Sequence, residues 1–319
     1  MKPIALPCLA AGILFSAVVH GAENPAAAAE TAFLPEPAVV TAAGSETKPL
    51  VLKIAVNDIY CRKTSCSCIS NIATRDYTVF LADLKSNHKI TLKFTYFMEV
   101  FDMEKALQTK KFDGVLCKPW TALRLADKVG AKYLRVADIL DPNDKGMMTG
   151  QFVVTSSSPI RSLEDLQGKQ IAVGQRDSHE KYQSPMRMLA AKNIQPQKAL
   201  CFSSCGENLD ALLSGKVDAA VISSYALTAS CAVDFMKPGD VKTIAETEPM
   251  PLTSLILDMN KVSAVDAARL QAALVAESGG KAPKDLAGHG FVLPASWRPS
   301  PLAAEADTGI EQPATKHKQ

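Results

Sequence analysis

Hydrophobic positions along this chain alternate between two periods. Short unbroken apolar runs are followed by longer stretches in which apolar residues recur every third or fourth position. Residues 52–56 read as a strand, and a helix follows near 72–86, with Ile72, Phe80 and Leu84 on one stripe. Residues 91–97 read as a strand, 103–110 as a helix and 114–118 as a short strand. A second set has strands at 151–155, 170–174, 199–203 and 219–223, with helices over 180–192 and 208–214. A strand at 252–257 and a helix near 265–277 close the pattern. Such alternation predicts an α/β fold of mostly parallel sheets with helices on both faces.

In open α/β sheets, ligands bind outside the carboxyl ends of the strands. That rule selects five segments: 57–69, 118–121, 175–182, 203–207 and 224–225. Residues 159–174 read PIRSLEDLQGKQIAVG, a short helix, a tight Gly-Lys turn and a buried strand. Residues 215–223 read GKVDAAVIS, a turn leading into another buried strand. This pairing resembles the second lobe of a type 2 periplasmic solute-binding protein of the phosphate/phosphonate-binding branch. The resemblance implies two α/β lobes, each a mostly parallel sheet flanked by helices, joined by a two-crossing hinge near 144–152 and 240–252. Lobe 1 would comprise 50–147 and 248–297, and lobe 2 would comprise 148–247.

In that family an Asp-Ser-x-Ser-Gly run, with Pro four residues beyond the Gly, holds an anion through serine hydroxyls and a helix N-terminus. The equivalent run here is Asp177, Ser178, His179, Glu180 and Lys181, followed by Pro185. Ser178 is kept, whereas Glu180 replaces the second Ser and Lys181 the Gly. Cys205 stands where the family tends to carry a His, and Cys117, Lys118, Pro119 and Trp120 stand where it usually has a Gly-Pro loop. Glu180 would repel a phosphonate unless Lys181, Arg176 or Lys118 offsets it. The ligand-binding set implied is Tyr60, Cys61, Lys118, Trp120, Ser178, His179, Glu180, Lys181, Cys205 and Tyr225. The role implied is capture of a phosphonate- or phosphate-like oxyanion for an ABC importer. The partner would be an inner-membrane permease, or a sensor kinase if the protein reports its ligand.

Composition agrees with a soluble chain: 47% hydrophobic, 21% charged and a net charge of +2. The near-neutral balance gives no support to nucleic-acid binding. Lys2, an apolar run over 4–19 and small residues at Gly21 and Ala22 resemble a secretory signal peptide over 1–22, which places the protein in the periplasm. Residues 23–49 are an Ala/Pro-rich flexible linker, and 298–319 form a tail of the same character. A monomer is expected.

Of 8 cysteines, Cys8 falls in the leader, leaving Cys61, Cys66, Cys68, Cys117, Cys201, Cys205 and Cys231. One reading is one or two disulfides, Cys61 with Cys66 or Cys68 and Cys201 with Cys205, with an odd thiol left over. A second is a thiolate site of Cys61, Cys66, Cys68, Cys117 and Cys205 for Zn(II), Cu(I) or arsenite, in a sensory binding protein. A third is thiol-disulfide redox work by Cys66 and Cys68. The chain carries no Gly-rich phosphate loop, no Gly-x-Ser-x-Gly elbow and no two-His zinc helix, so binding is expected rather than catalysis.

Overall fold

A computed structural model describes residues 48–65, 69–233, 236–278, 286 and 290–298. The expected leader, most of the linker, nearly all of the tail, Cys66, Cys68 and the Cys231 side chain lie outside the described residues. The first part runs β1 (Leu50–Val56), α1 (Thr78–His88), β2 (Ile90–Tyr96), α2 (Val100–Gln108), β3 (Gly114–Cys117), α3 (Pro119–Val129) and β4 (Tyr133–Ile139). The middle part runs β5 (Met147–Met148), β6 (Gly150–Thr155), β7 (Gln170–Val173), α4 (Ser184–Ala191), β8 (Lys198–Cys201), α5 (Cys205–Leu213), β9 (Ala219–Ser223), a one-turn α6 (Ser230–Val233) and β10 (Val241–Glu246). The chain then returns through β11 (Met250–Pro251), β12 (Ser254–Asp258), α7 (Ala264–Ser278) and β13 (Phe291–Val292).

Two main sheets result, ordered β13-β4-β12-β3-β1-β2 and β10-β6-β9-β7-β8. Between them the chain passes twice, and the two crossings pair as the short antiparallel ladder β5–β11, Met148 opposite Met250. Within the two sheets, parallel pairing is confined to β1 with β2 and β3, and to β7 with β8 and β9. The sheets are therefore mixed rather than mostly parallel. The strands that run against their neighbours are β6, β12 and the C-terminal β13; β6 and β12 are the ones where the chain enters a sheet from the other lobe.

The helix expected from Ile72 begins at Thr78 instead, because the Asp76 carboxylate accepts the Thr78 N–H at 2.9 Å and its hydroxyl at 2.6 Å. The hydrophobic pattern also passed over α3 and β4. In β4 every residue is buried, yet it contains Arg135 and Asp138. Their charges hide the strand in the sequence and meet each other in the fold, at 2.8 Å. The helix expected over 180–192 divides into a single π-helical turn, His179–Gln183, followed by α4.

A second buried pair ties the cleft loop after β1 to the rest of lobe 1. The Arg75 guanidinium meets Asp58 at 2.8 Å with both side chains at 0% exposure. Tyr77 donates to the same carboxylate at 2.8 Å, and Thr253 reaches its other oxygen at 3.3 Å. Arg75 also donates to the carbonyls of Leu286, at 2.9 Å, and Leu140. Removing one member of a buried pair strands the other charge, at a cost of about 3–5 kcal/mol. Arg75→Met is expected to lose that much in denaturant unfolding. Tyr77→Phe, which gives up one hydrogen bond to a carboxylate, should lose about 1.5–3 kcal/mol. Equal losses for the two variants would contradict this assignment.

Candidate functional site in the interlobe cleft

Lys118 lies at the carboxyl end of β3, immediately before α3. Pro119 fills the first turn of α3, where its missing N–H has no intrahelical role. Trp120 and Arg124 are four residues apart and share a helix face. Both reach lobe 2 at one residue: Trp120 Nε1 donates to the Asp177 carbonyl at 2.9 Å, and Arg124 pairs with the Asp177 carboxylate at 2.7 Å.

The lobe-2 surface they meet is the turn after β7. Ser178 caps it, its hydroxyl accepting the Lys181 N–H at 3.3 Å. Its carbonyl accepts from the N–H groups of Tyr182 at 3.2 Å and Gln183 at 3.0 Å. The π-helical turn lies against two glycines. A Cβ on Gly174 would stand 2.5 Å from the Lys181 Cβ, and one on Gly150 would stand 1.8 Å from the Glu180 carbonyl oxygen. Neither position has room for a side chain, so both glycines are needed to seat the turn on the sheet ends.

Glu180 occupies the centre. Its Oε1 accepts from Lys118 Nζ at 2.7 Å and Ser223 Oγ at 3.0 Å, and its Oε2 from Ser178 Oγ at 3.2 Å. Burial would raise the carboxyl's pKa, but Lys118 first and Lys181 second hold it well below the usual range. Burial likewise opposes the charge on Lys118, and Glu180 more than restores it. Lys181 is also raised despite burial, by the Cys205 sulfur and by Glu180. One ammonium group thus meets the carboxylate directly and a second, Lys181, adds its field, an excess of one positive charge. The Cys205 sulfur accepts the Ser223 N–H at 3.4 Å, and the Tyr225 ring lies 5.7 Å from Lys118 Nζ.

His179 packs against Trp120, with ring centroids 4.6 Å apart, and against Trp297 at 6.0 Å. Burial, reinforced by Arg187, lowers its pKa from 6.5 to about 4, so the ring is neutral. Beside this cluster, at the hinge, lies a cavity of about 360 Å³ lined in part by Tyr60, Met148, Ser224, Tyr225, Glu246 and Leu252. Its size falls within the range of small-ligand pockets.

Lys118, Trp120, Ser178, His179, Glu180, Lys181, Cys205 and Tyr225 come together in the cleft, and Tyr60 is on the cavity wall. Cys61 does not join them, being buried in the lobe-1 core with Tyr77 and Phe80. Cys117 packs on the opposite face of that sheet with Met103 and Leu125, and burial pushes its thiol up to about 12. Cys201 and Cys205 occupy opposite faces of the lobe-2 sheet as free thiols, so the disulfide entertained between them does not form. Cys61, Cys117 and Cys205 therefore belong to three separate cores, and among the described residues no group of His, Cys, Asp or Glu gathers to hold a metal. The pairing or metal role of Cys66 and Cys68 lies outside the described residues. Sequence reasoning missed Ser223, Arg124 and Gly150. Ser223 is the last residue of β9 and Arg124 lies one turn beyond Trp120, so strand-end position and helix spacing could have found both.

A family model described as "ABC transporter, phosphonate, periplasmic substrate-binding protein" matches residues 70–295. The chain belongs to that family. Its members are solute-binding components of ABC importers rather than enzymes, which fits a cleft built from two lobes. No curated protein matches the chain. Solved structures share the fold at low identity. A binding protein component of an ABC phosphonate transporter from Pseudomonas aeruginosa is 17% identical, with a TM-score of 0.53, over 77% of this chain and 82% of that one. PhnD1 from Prochlorococcus marinus in complex with methylphosphonate is 13% identical, with a TM-score of 0.54, over 79% and 95%. XAC2383 from Xanthomonas citri bound to ATP is 17% identical, with a TM-score of 0.57, over 77% and 91%. Among the described residues, no helix of this family member is long and apolar enough to cross a membrane.

Two predictions follow from the geometry of the turn. The His179 pKa of about 4 lies below the ordinary 6.5, so the unfolded chain takes up the proton first. Its contribution is complete above about pH 6.5 and declines as pH falls toward 4. Between pH 7 and pH 5 it should remove about 2 kcal/mol of stability. Denaturant unfolding of His179→Phe at both values should lack that component. Gly150→Ala forces the Glu180 carbonyl aside and should cost about 1–3 kcal/mol or more; an unchanged unfolding midpoint would show that the turn can shift freely.

Proposed function

We propose that this importer component holds a small oxyanion, of the phosphonate or phosphate class, at the Lys118–Lys181 cluster. The observation that carries this reading is the set of donors around Glu180. One ammonium group and two serine hydroxyls, drawn from both lobes, converge where an oxyanion's oxygens would sit, and the charge of Lys181 adds to theirs. Charge-assisted bonds of this kind are the strong ones. The excess positive charge favours an anionic head group, and the hinge cavity gives room for the rest of the solute. Tyr60 and Tyr225 would contact that part. Relatives described as phosphonate-binding support the same class.

In this reading, residues 50–147 with 248–297 form one lobe and 148–247 the other, and they close about the β5–β11 crossings. The leader over 1–22 would export the chain, and the linker over 23–49 would tether it in the periplasm. The protein acts as a monomer, since one chain supplies both walls of the cleft. A thiophilic-ion sensor finds no support among the described residues, where the thiols face separate cores.

Isothermal titration of the full chain with methylphosphonate, inorganic phosphate and arginine tests the solute class. An oxyanion should bind, and Lys181→Met should weaken it about tenfold or more, as expected for loss of a bond to a charged group. Preference for arginine, or indifference to Lys181→Met, would overturn the reading.

A further inference from the structure

The donors assigned to the solute are already engaged by the chain itself. Lys118, after β3 in lobe 1, Ser178, capping the turn that follows β7, and Ser223, at the end of β9 in lobe 2, all point at one carboxylate, at 2.7, 3.2 and 3.0 Å. The Glu180 side chain is 3% exposed, and its backbone is fixed against Gly150. The acceptor at the meeting point of the two lobes is therefore internal.

We propose that Glu180 is a tethered competitor for the solute: its carboxylate clasps the lobes together in the ligand-free protein, and an incoming anion binds by displacing it from Lys118, Ser178 and Ser223. This rests on the oxyanion reading above. A group attached a few bonds from its site acts at an effective concentration on the order of millimolar. A site that is free for only a fraction of the time binds its ligand more weakly by that fraction. Glu180 thus weakens every anion, but not equally. A monocarboxylate offers the same two oxygens that it displaces and gains nothing in the exchange. A phosphonate brings a third oxygen, and Lys181, whose side chain lies over Gly174 at the end of the neighbouring strand, is the second cation within the turn to receive it. Glu180 is accordingly a specificity-determining residue that selects tetrahedral oxyanions over carboxylates. The cavity at Tyr225 gives the displaced side chain somewhere to go.

The test uses the full chain and its Glu180→Ala variant, titrated with methylphosphonate, inorganic phosphate and acetate, with thermal midpoints recorded in parallel. The variant should melt lower than the parent and recover on adding any of the three anions, acetate included. It should also bind methylphosphonate or phosphate at least about tenfold tighter than the parent. Loss of fold alone would not produce rescue by acetate. Small-angle scattering of the unaltered protein supplies a measurement that needs no variant: the anion-free chain should already have the compact dimensions of the anion-saturated one. An open anion-free form that contracts on adding phosphate overturns the clasp, as does a parent that binds methylphosphonate as tightly as Glu180→Ala. In both cases the oxyanion reading survives. If neither protein binds any of the three anions, the solute class is wrong, and a compact parent that opens in Glu180→Ala would still establish the clasp.

Discussion

A carboxylate removed from water must either take up a proton or find a cation, and Glu180 has found one on the other lobe. Its 3% exposure would by itself favour the neutral acid. Lys118, reaching over from the end of β3, keeps it charged, and the two lobes thereby acquire a shared electrostatic requirement. Separating them means exposing both charges together. Removing only one leaves the other buried without a partner, which is the costly case. The neighbouring contacts follow from this placement. Trp120 and Arg124 lie on the helix that Lys118 precedes, and Asp177, which receives both, lies three residues before Glu180. Asn71 adds a separate link, donating to the Thr228 carbonyl at 2.9 Å and accepting the Ser230 N–H at 2.8 Å.

Most strands and the two lobe motifs were legible because the strands are short unbroken apolar runs, buried along their length and bounded by turns. Glu180 and Lys181 were visible as departures because Ser178 fixed their register. What the sequence left open was which cation answers the carboxylate, with Lys118, Lys181 and Arg176 all available. Lys118 lies 62 residues away in the chain, and its direction is set by where β3 ends and Pro119 starts a helix. No local pattern encodes that. The cysteines misled for a related reason. A strand-end loop tells where a residue falls along the sheet, but not which face its side chain takes. Alternation does tell: Leu116 and Cys117 point to opposite sides of the lobe-1 sheet, so Cys117 was bound for the core behind the cleft. Arg135 and Asp138 concealed β4 because each looks like a surface residue until the other is placed beside it.

Among the described residues three ion pairs are well buried, and their settings separate structure from function. Arg75–Asp58 has no exposure on either side and is tied to carbonyls at Leu140 and Leu286. Arg135–Asp138 is 7% and 2% exposed and lies within one strand. Both hold lobe 1 together and offer nothing to a solute. Lys118–Glu180 differs in spanning the lobes, in having Lys118 19% exposed, and in bordering the hinge cavity through Tyr225. The same physics stabilises all three; only the last can be exchanged for a ligand.

Charge in the cleft is also fixed against pH. Glu180 is held well below the ordinary carboxylate range, while Lys118 and Lys181 are held above the ordinary lysine value. His179 stays neutral until about pH 4. Across the mildly acidic to neutral range, none of these groups changes its charge, so the clasp cannot be released by protonation there. Salt acts weakly as well, because screening reaches buried pairs much less than exposed ones. What remains able to open the Lys118–Glu180 contact is a competing anion that satisfies the lysines better than Glu180 does. A cleft that answers to solute chemistry and ignores ordinary changes in pH is suited to an importer component, which must respond to cargo rather than to its surroundings.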